Sequence, residues 1–318
     1  MNDILYIVVP CYNEEEVLRE TAKRLLEKIN TLIADDKISP KSKVLFVNDG
    51  SKDTTWNIIT ELHRENTVFS GVNLSRNRGH QNALLAGLTV ACKRADVTIS
   101  MDADLQDDIN AVDEMLDKYY DGCDVVYGVR SSRKKDSFFK KNTALAFYKI
   151  MNSLGAETVY NHADYRLMSK RAVEGLMRFE EKNLFLRGIV PLIGYKSDKV
   201  YYERSKRFAG ESKYPLKKMI AFAIDGITSF SVKPIRYITT IGFLMFFVSV
   251  ALLIYSVVRW IIGASVLGWA SLICSVWAIG GLIMLSLGVI GEYIGKMYIE
   301  VKGRPSFILE TVLDDEDN

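Results

Sequence analysis

Apolar and polar positions divide this chain into two regimes that meet near residue 235. Up to about residue 130, short β-rich apolar runs alternate with longer segments whose apolar residues recur every three to four positions. The runs are ILYIVV (4–9), KVLFVN (43–48), FSGVNL (69–74), VTISMD (97–102) and DVVYGV (124–129). The amphipathic segments span Glu14 to Leu32, Asp53 to Arg64, Gln81 to Ala91 and Ile109 to Tyr120. This alternation predicts βαβ units with right-handed crossovers and a mostly parallel sheet, an α/β domain. Ligands of such sheets bind beyond the carboxyl ends of the strands, and the polar motifs of this chain fall there.

The second regime is apolar throughout. From Tyr237 to Gly291 the single formal charge is Arg259, where average usage would place about fourteen. About twenty residues of helix cross a bilayer core of roughly 30 Å, so the uncharged stretches Tyr237–Val258 and Trp260–Gly291 predict two transmembrane helices. A purely cytosolic enzyme is thereby excluded. Lys233 and Arg236 precede the first stretch, Lys296, Lys302 and Arg304 follow the second, and the turn near 263–268 has no charge. The positive-inside rule then places both ends in the cytoplasm, with Arg259 snorkelling to the interface. ILYIVV is too short for the apolar core of a signal peptide, so the first domain is expected to stay cytoplasmic too.

Overall composition hides this division: the 318 residues are 48% hydrophobic and 25% charged, with a net charge of +2. Four cysteines, at 11, 92, 123 and 274, form no CxxC pair, which argues against a disulfide framework or a zinc site. The basic segment SSRKKDSFFKK (131–141) reads as a mobile loop leading into a helix at 143–154. Between Lys196 and Lys218 there are eight Lys or Arg against three acids. A helical pattern with an apolar face follows at 215–231, as expected for a helix lying on an anionic leaflet. The expected organisation is a catalytic domain at 1–214, an interfacial segment at 215–234, a two-helix anchor at 235–302 and a solvated, disordered cytoplasmic tail at 303–318.

Candidate chemistry begins at MDADLQDD (101–108), directly after an apolar strand. Asp102 and Asp104 can bring two carboxylates to one hard divalent cation, magnesium or manganese, that also grips a diphosphate. An isolated Asp-x-Asp serves equally well as an acidic turn capping the following helix. Three further motifs sit at strand-to-helix junctions: VVPCYNEEEVL (8–18), VNDGSKDTT (47–55) and LSRNRGHQNALLAGL (74–88). In this order and spacing, the four resemble glycosyltransferase family 2, and within it the polyprenyl-phosphate hexose synthases, the bactoprenol glucosyltransferases and dolichol-phosphate mannose synthases. The resemblance runs from Ile7 to about Pro305.

It implies a GT-A, Rossmann-like nucleotide-sugar domain with an inverting mechanism. Pro10, Tyr12 and Glu14 would surround the base and ribose, with Val47 and Asp49 completing the base pocket. Asp102, Ala103 and Asp104 would meet the diphosphate, and Asp102, Asp104 and Gln106 the cation. Asp49 can accept an N–H from uracil or guanine. Read without the resemblance, Tyr12 is packing, and Asp49, Ser51 and Asp53 form a turn and helix cap. NHADYRLMSKRAV (161–173) maps the catalytic acid onto Asp164, with Ala163 and Tyr165 where relatives often carry Gly and Phe. Its role stays open between base and electrostatic or positioning group, because a polyprenyl phosphate with second pKa near 6 is already mostly dianionic at neutral pH. RFAGESKYPLKK (207–218) resembles the acceptor-phosphate loop and nominates Arg207, Ser212 and Lys213, and Arg130 is a further cation of the same kind, assigned to the sugar nucleotide, so that donor and acceptor charges are met together.

The processive synthases on this fold carry QxxRW on an interfacial helix. Here the only candidate is SVVRW (256–260), without the Gln and inside an apolar span, so processivity is rejected. The implied reaction moves a hexose, glucose from UDP-glucose in the first instance, onto undecaprenyl phosphate. N-acetylglucosamine or mannose are the alternatives, and an inactive nucleotide-binding scaffold is disfavoured by retention of Asp49, Asp102, Asp104 and Asp164. The expected partners are the UDP-sugar, the lipid acceptor and the bilayer, with no nucleic acid. A homo-oligomer is compatible with all of this.

Overall fold

The computed structural model describes residues 2–131, 162–182, 185–203, 233–262 and 268–314. By internal contacts the chain divides into two units, one of 1–148, 158–214 and 304–318 and one of 149–157 and 215–303.

The first unit is built on one sheet. Its strands are β1 (Leu5–Cys11), β2 (Lys43–Asn48), β3 (Phe69–Leu74), β4 (Val97–Ser100), β5 (Val125–Arg130), β6 (His162–Ser169), β7 (Ser197–Tyr202) and β8 (Leu309–Leu313), in the order β7-β5-β6-β4-β1-β2-β3-β8. β1 lies centrally, parallel to β2 and β4, and all seven of its residues are buried. An unbroken apolar run is what a strand covered on both faces requires. The strands progress from β1 to β3 on one side and then return to β4 on the other. This reversal opens a crevice at the carboxyl ends of β1 and β4, where the acidic motif begins.

The helices are α1 (Leu18–Ala34), α2 (Thr55–Glu65), α3 (His80–Ala91), α4 (Ala111–Tyr120), α5 (Lys170–Met177) and α6 (Leu186–Leu192). On α1 the buried positions Leu18, Ala22, Leu25, Ile29 and Leu32 make one stripe, each large aliphatic contributing about 1.5–3 kcal/mol when buried. α3 approaches the sheet most closely, since a Cβ on Gly87 would stand 2.4 Å from Val8 Cγ1 and 2.6 Å from Val47 Cγ2.

Three differences from the sequence pattern have physical causes. α1 begins at Leu18 rather than Glu14, because Asn13 takes φ 54° and the Glu14 carbonyl receives the N–H groups of Val17 and Leu18, closing a turn ahead of the helix. β6 and β7 fall in segments read only for motifs and basic charge. β6 slots between β4 and β5, antiparallel to both. The expectation of a disordered tail is overturned for 309–313, which form β8 on the free edge of β3, and Asp314 beyond it is buried against Lys43 at 2.8 Å and Arg94 at 2.5 Å. The apolar run Phe307–Leu313 ahead of the acidic end is what pairs with that edge, and the double ion pair pins it.

In the second unit, α7 (Lys233–Ile261) and α8 (Trp269–Lys302) are apolar on most faces. Within them Lys233–Leu252 and Ile279–Lys302 are long and apolar enough to cross a membrane, and Phe243, Leu244, Met284 and Leu285 are among their exposed side chains. The helices expected at 143–154 and 215–231, the loop at 132–141 and the turn at 263–267 lie outside the described residues.

Candidate active site

The turns after β1 and β2 are bolted together. The N–H of Asn13 donates to Ser51 Oγ (3.0 Å), that of Lys52 to Asn13 Oδ1 (2.8 Å) and that of Glu14 to Thr55 Oγ1 (3.0 Å). Glu15 receives both the N–H and the hydroxyl of Thr54 (3.0 and 2.6 Å). Asp53 receives the N–H and hydroxyl of Thr55, the local turn that its sequence position suggested. These side-chain bonds satisfy backbone groups that a parallel sheet leaves open at its carboxyl edge.

Asp49 is buried, with Oδ1 receiving the Arg78 N–H (2.6 Å) and Oδ2 the Gly79 N–H (2.9 Å). Burial raises its pKa and these two bonds oppose the rise. It thus clamps the chain entering α3, while each oxygen keeps a lone pair for a further donor. Gly50 (φ 62°) makes the approach feasible, since a Cβ there would lie 2.5 Å from Asn77 N. Of the other residues assigned to base and ribose, Tyr12 is exposed and Glu14 half-buried. Pro10 and Val47 are sheet partners with buried side chains beneath the loops, so they shape the floor of the site.

After β4 the chain places Asp102 half-buried at the crevice, Ala103 buried, and Leu105 in a left-handed turn (φ 55°) with its side chain tucked inside. Asp104 receives the Gln106 N–H at 3.2 Å. Burial pushes the Asp102 carboxyl up to about 6, with His80 opposing and Asp107, Asp164 and Asp104 adding to the rise. A buried carboxyl that resists ionisation, with the Asp104 carboxyl two residues on, offers oxygen donors that fit a hard divalent cation. Among the described residues no cluster of three His, Cys, Asp or Glu side chains could hold a metal by itself. Asp102 and Asp104 would therefore share the cation with ligand oxygens.

Asp164, on β6, lies beside this pair: His80 Nε2 stands 3.5 Å from Asp102 Oδ1 and 3.7 Å from Asp164 Oδ2. The Ser100 hydroxyl donates to the Asp164 carbonyl at 2.6 Å. Arg166 donates to Asp164 Oδ1 (2.8 Å), while Arg187 grips both oxygens, Nε to Oδ1 at 3.2 Å and Nη2 to Oδ2 at 2.9 Å. Burial alone would raise this carboxyl, but the Arg187 and Arg166 guanidiniums outweigh it and hold it well below the usual carboxylate range. A carboxylate so stabilised is a fixed negative charge and a weak proton acceptor.

Arg130 ends β5 with Nη2 3.4 Å from Asp107 and Nε 3.3 Å from the Tyr202 hydroxyl, which itself donates to Asp107 Oδ1 at 2.5 Å. Arg207, Ser212 and Lys213 lie outside the described residues. The sequence reading did not single out Arg187, His80, Asp107 or Tyr202. His80 and Asp107 sit inside the quoted motifs, whereas Arg187 and Tyr202 carry no local signal.

The Glycosyl transferase family 2 profile matches residues 6–177, which include β1 to β6 and every acid just described. The chain belongs to that family and is a glycosyltransferase of GT-A fold. It is 54% identical to the uncharacterized glycosyltransferase YkoT of Bacillus subtilis (strain 168), over 98% of this chain and 93% of that protein. It is 38% identical to the prophage bactoprenol glucosyl transferase homolog of Escherichia coli (strain K12), over 96% of this chain and 98% of that protein. A solved structure of glucosyl-3-phosphoglycerate synthase from Mycobacterium tuberculosis with Mn2+, UDP and phosphoglyceric acid aligns at 15% identity with a TM-score of 0.43, over 71% of this chain and 76% of that one.

Proposed function

We propose that the enzyme transfers glucose from UDP-glucose to undecaprenyl phosphate, with inversion at the anomeric carbon. The observation that carries this reading is the near full-length likeness, spans included, to proteins named bactoprenol glucosyl transferase. Two helices long and apolar enough for a bilayer suit an acceptor whose tail is hydrocarbon. In this reading both termini and the catalytic unit face the cytoplasm, as the flanking cations argue.

Tyr12, Glu14 and Asp49 bind the nucleotide, over a floor made by Pro10 and Val47. Asp102, Ala103 and Asp104 meet the diphosphate, with Asp102, Asp104 and Gln106 toward a magnesium or manganese ion. When bound, that ion supplies charge neutralisation for the departing UDP. A phosphate oxygen of the acceptor forms the new bond to C1 as the bond from C1 to the diphosphate oxygen breaks, and UDP leaves with the electron pair. The acceptor phosphate is already mostly dianionic, so no strong base is needed. Asp164, locked by two arginines, lends its negative charge to the oxocarbenium-like carbon. Arg130 meets the phosphates of the sugar nucleotide where those of the acceptor approach them, and Arg207, Ser212 and Lys213 meet the acceptor phosphate.

Mass spectrometry of the lipid product after incubation with UDP-glucose, UDP-N-acetylglucosamine and GDP-mannose tests this. Hexosyl undecaprenyl phosphate from UDP-glucose alone is expected. Product only from another donor overturns the choice of sugar, and a sugar product without lipid overturns the acceptor.

A further inference from the structure

We propose that the strand following the second apolar helix is a positioning part of the donor site. Glu310 on β8, through Asn73 on β3 and Asn48 at the end of β2, holds the 49–51 turn in its nucleotide-binding shape. The inference rests on the reading of that turn as the nucleotide site.

The three side chains form a hydrogen-bond chain whose direction is fixed. A backbone N–H only donates, so Asn48 receives the Ser51 N–H with Oδ1 (3.2 Å) and must turn Nδ2 outward, to Asn73 Oδ1 at 2.7 Å. Asn73 is left with its own Nδ2, which donates to Glu310 Oε2 at 2.7 Å. Each amide orientation follows from the one before, and the chain ends on a carboxylate, which can only accept. Dipoles aligned this way polarise one another, most strongly at the buried Asn48 end.

A second tie runs parallel to the first. The Ser75 N–H donates to the Ile308 carbonyl at 3.1 Å, so the residues leading into β8 also hold the segment leading to Arg78 and Gly79, whose N–H groups clamp Asp49. Register is set where Gly71 meets Leu313 and Val72 meets Val312, and it is pinned just beyond by buried Asp314 on Lys43 and Arg94. The far terminus of the chain thus braces both segments that carry Asp49.

The test uses full-length protein in detergent micelles, with donor KM and kcat measured alongside UDP affinity by calorimetry in the presence of Mn2+. Asn73→Asp keeps an acceptor for Asn48 but sets a carboxylate against Glu310, and should raise donor KM and UDP Kd about fivefold with kcat within about twofold. Glu310→Gln alone should raise both less than Asn73→Asp does, because its amide oxygen still accepts from Asn73 while the charge is lost. When the two substitutions are combined, the amide introduced on β8 donates to the carboxylate introduced on β3. The contact re-forms with reversed polarity, and donor KM should return to within about twofold of wild type. A purely structural defect would instead lower kcat and thermal midpoint together, without rescue. Tyr12→Ala serves as the control on the reading itself. If it leaves UDP Kd unchanged, the joined turns after β1 and β2 are not the nucleotide site and the inference falls with that reading. If it weakens UDP while Asn73→Asp does not, or if the double variant fails to recover, the relay alone is overturned.

Discussion

Arg187 meets Asp164 end-on, with Nη2 2.9 Å from Oδ2 and Nε 3.2 Å from Oδ1, although one residue lies in the first turn of α6 and the other in β6. Paired donors on a planar fork lock a carboxylate in orientation as well as charge. That contact, with Arg166 behind it, leaves the acid of the NHADYRL motif ionised and a weak proton acceptor.

The pH dependence of Arg187→Ala follows from this. In the wild type, Asp164 is held below the ordinary carboxylate range, so it stays ionised at every working pH and gives kcat no acid limb above about pH 5. Its stabilising contribution is likewise present above the unfolded pKa and lost only as pH falls through the depressed native one. Without Arg187 its pKa rises, so the acid limb of the kcat profile should move to higher pH than in the wild type, and kcat at neutral pH should fall about 10- to 100-fold. An unchanged limb beside a lower rate would show that Arg187 acts on the substrate and not through Asp164.

Cation and proton should compete at Asp102. Burial and the carboxyls of Asp107, Asp164 and Asp104 push it up to about 6, so the metal-free protein keeps that proton after an unfolded chain has lost it. Metal-free stability should therefore decline as pH rises from about 4 to 6, and a divalent cation should restore it. Apparent Mn2+ affinity should weaken as pH falls below about 6, approaching tenfold per unit. Calorimetry in two buffers of different ionisation enthalpy would count the released proton. Asp104→Asn should abolish transfer and leave thermal unfolding unchanged, and EDTA should do the same reversibly.

Tyr202→Phe removes the shortest donor to buried Asp107, whose Oδ2 already has no partner among the described residues. One longer contact, to Arg130, would remain. We expect a loss of about 1–3 kcal/mol in stability and a rise in acceptor KM as Arg130 loses its brace. Chemical denaturation with kinetics at varied undecaprenyl phosphate checks both, and an unaffected acceptor KM would separate Arg130 from the acceptor.

Gly87→Ala should destabilise the catalytic unit by about 1–3 kcal/mol through overpacking, since the new methyl would press on Val8 and Val47 at 2.4 and 2.6 Å. Thermal unfolding would report it. Because Val47 underlies the nucleotide turn, UDP affinity should fall as well.

Hydrophobic period alone determined β1 to β5, α1 to α4 and the two long apolar helices. In each of these, burial of a face or of a whole segment is a local property, written in residues a few positions apart. The acids of the three acidic motifs were legible for the same reason, because each of those motifs sits at the end of a strand. Tertiary structure decided the rest. HADYRLMS (162–169) alternates Ala163, Tyr165 and Leu167 with polar residues, too short a signal beside its charged positions to fix a place in the sheet, and β6 finds that place because β4 and β5 offer it two edges. The run SFILETVL (306–313) becomes a strand only because β3 offers an edge and Lys43 and Arg94 receive Asp314. Arg187 has no motif, and it becomes part of the site only because α6 carries it to a carboxylate made costly by burial. Ion pairs and edge pairings of this kind depend on distance in space and leave no period in the chain, so folding had to bring them together before they could be seen.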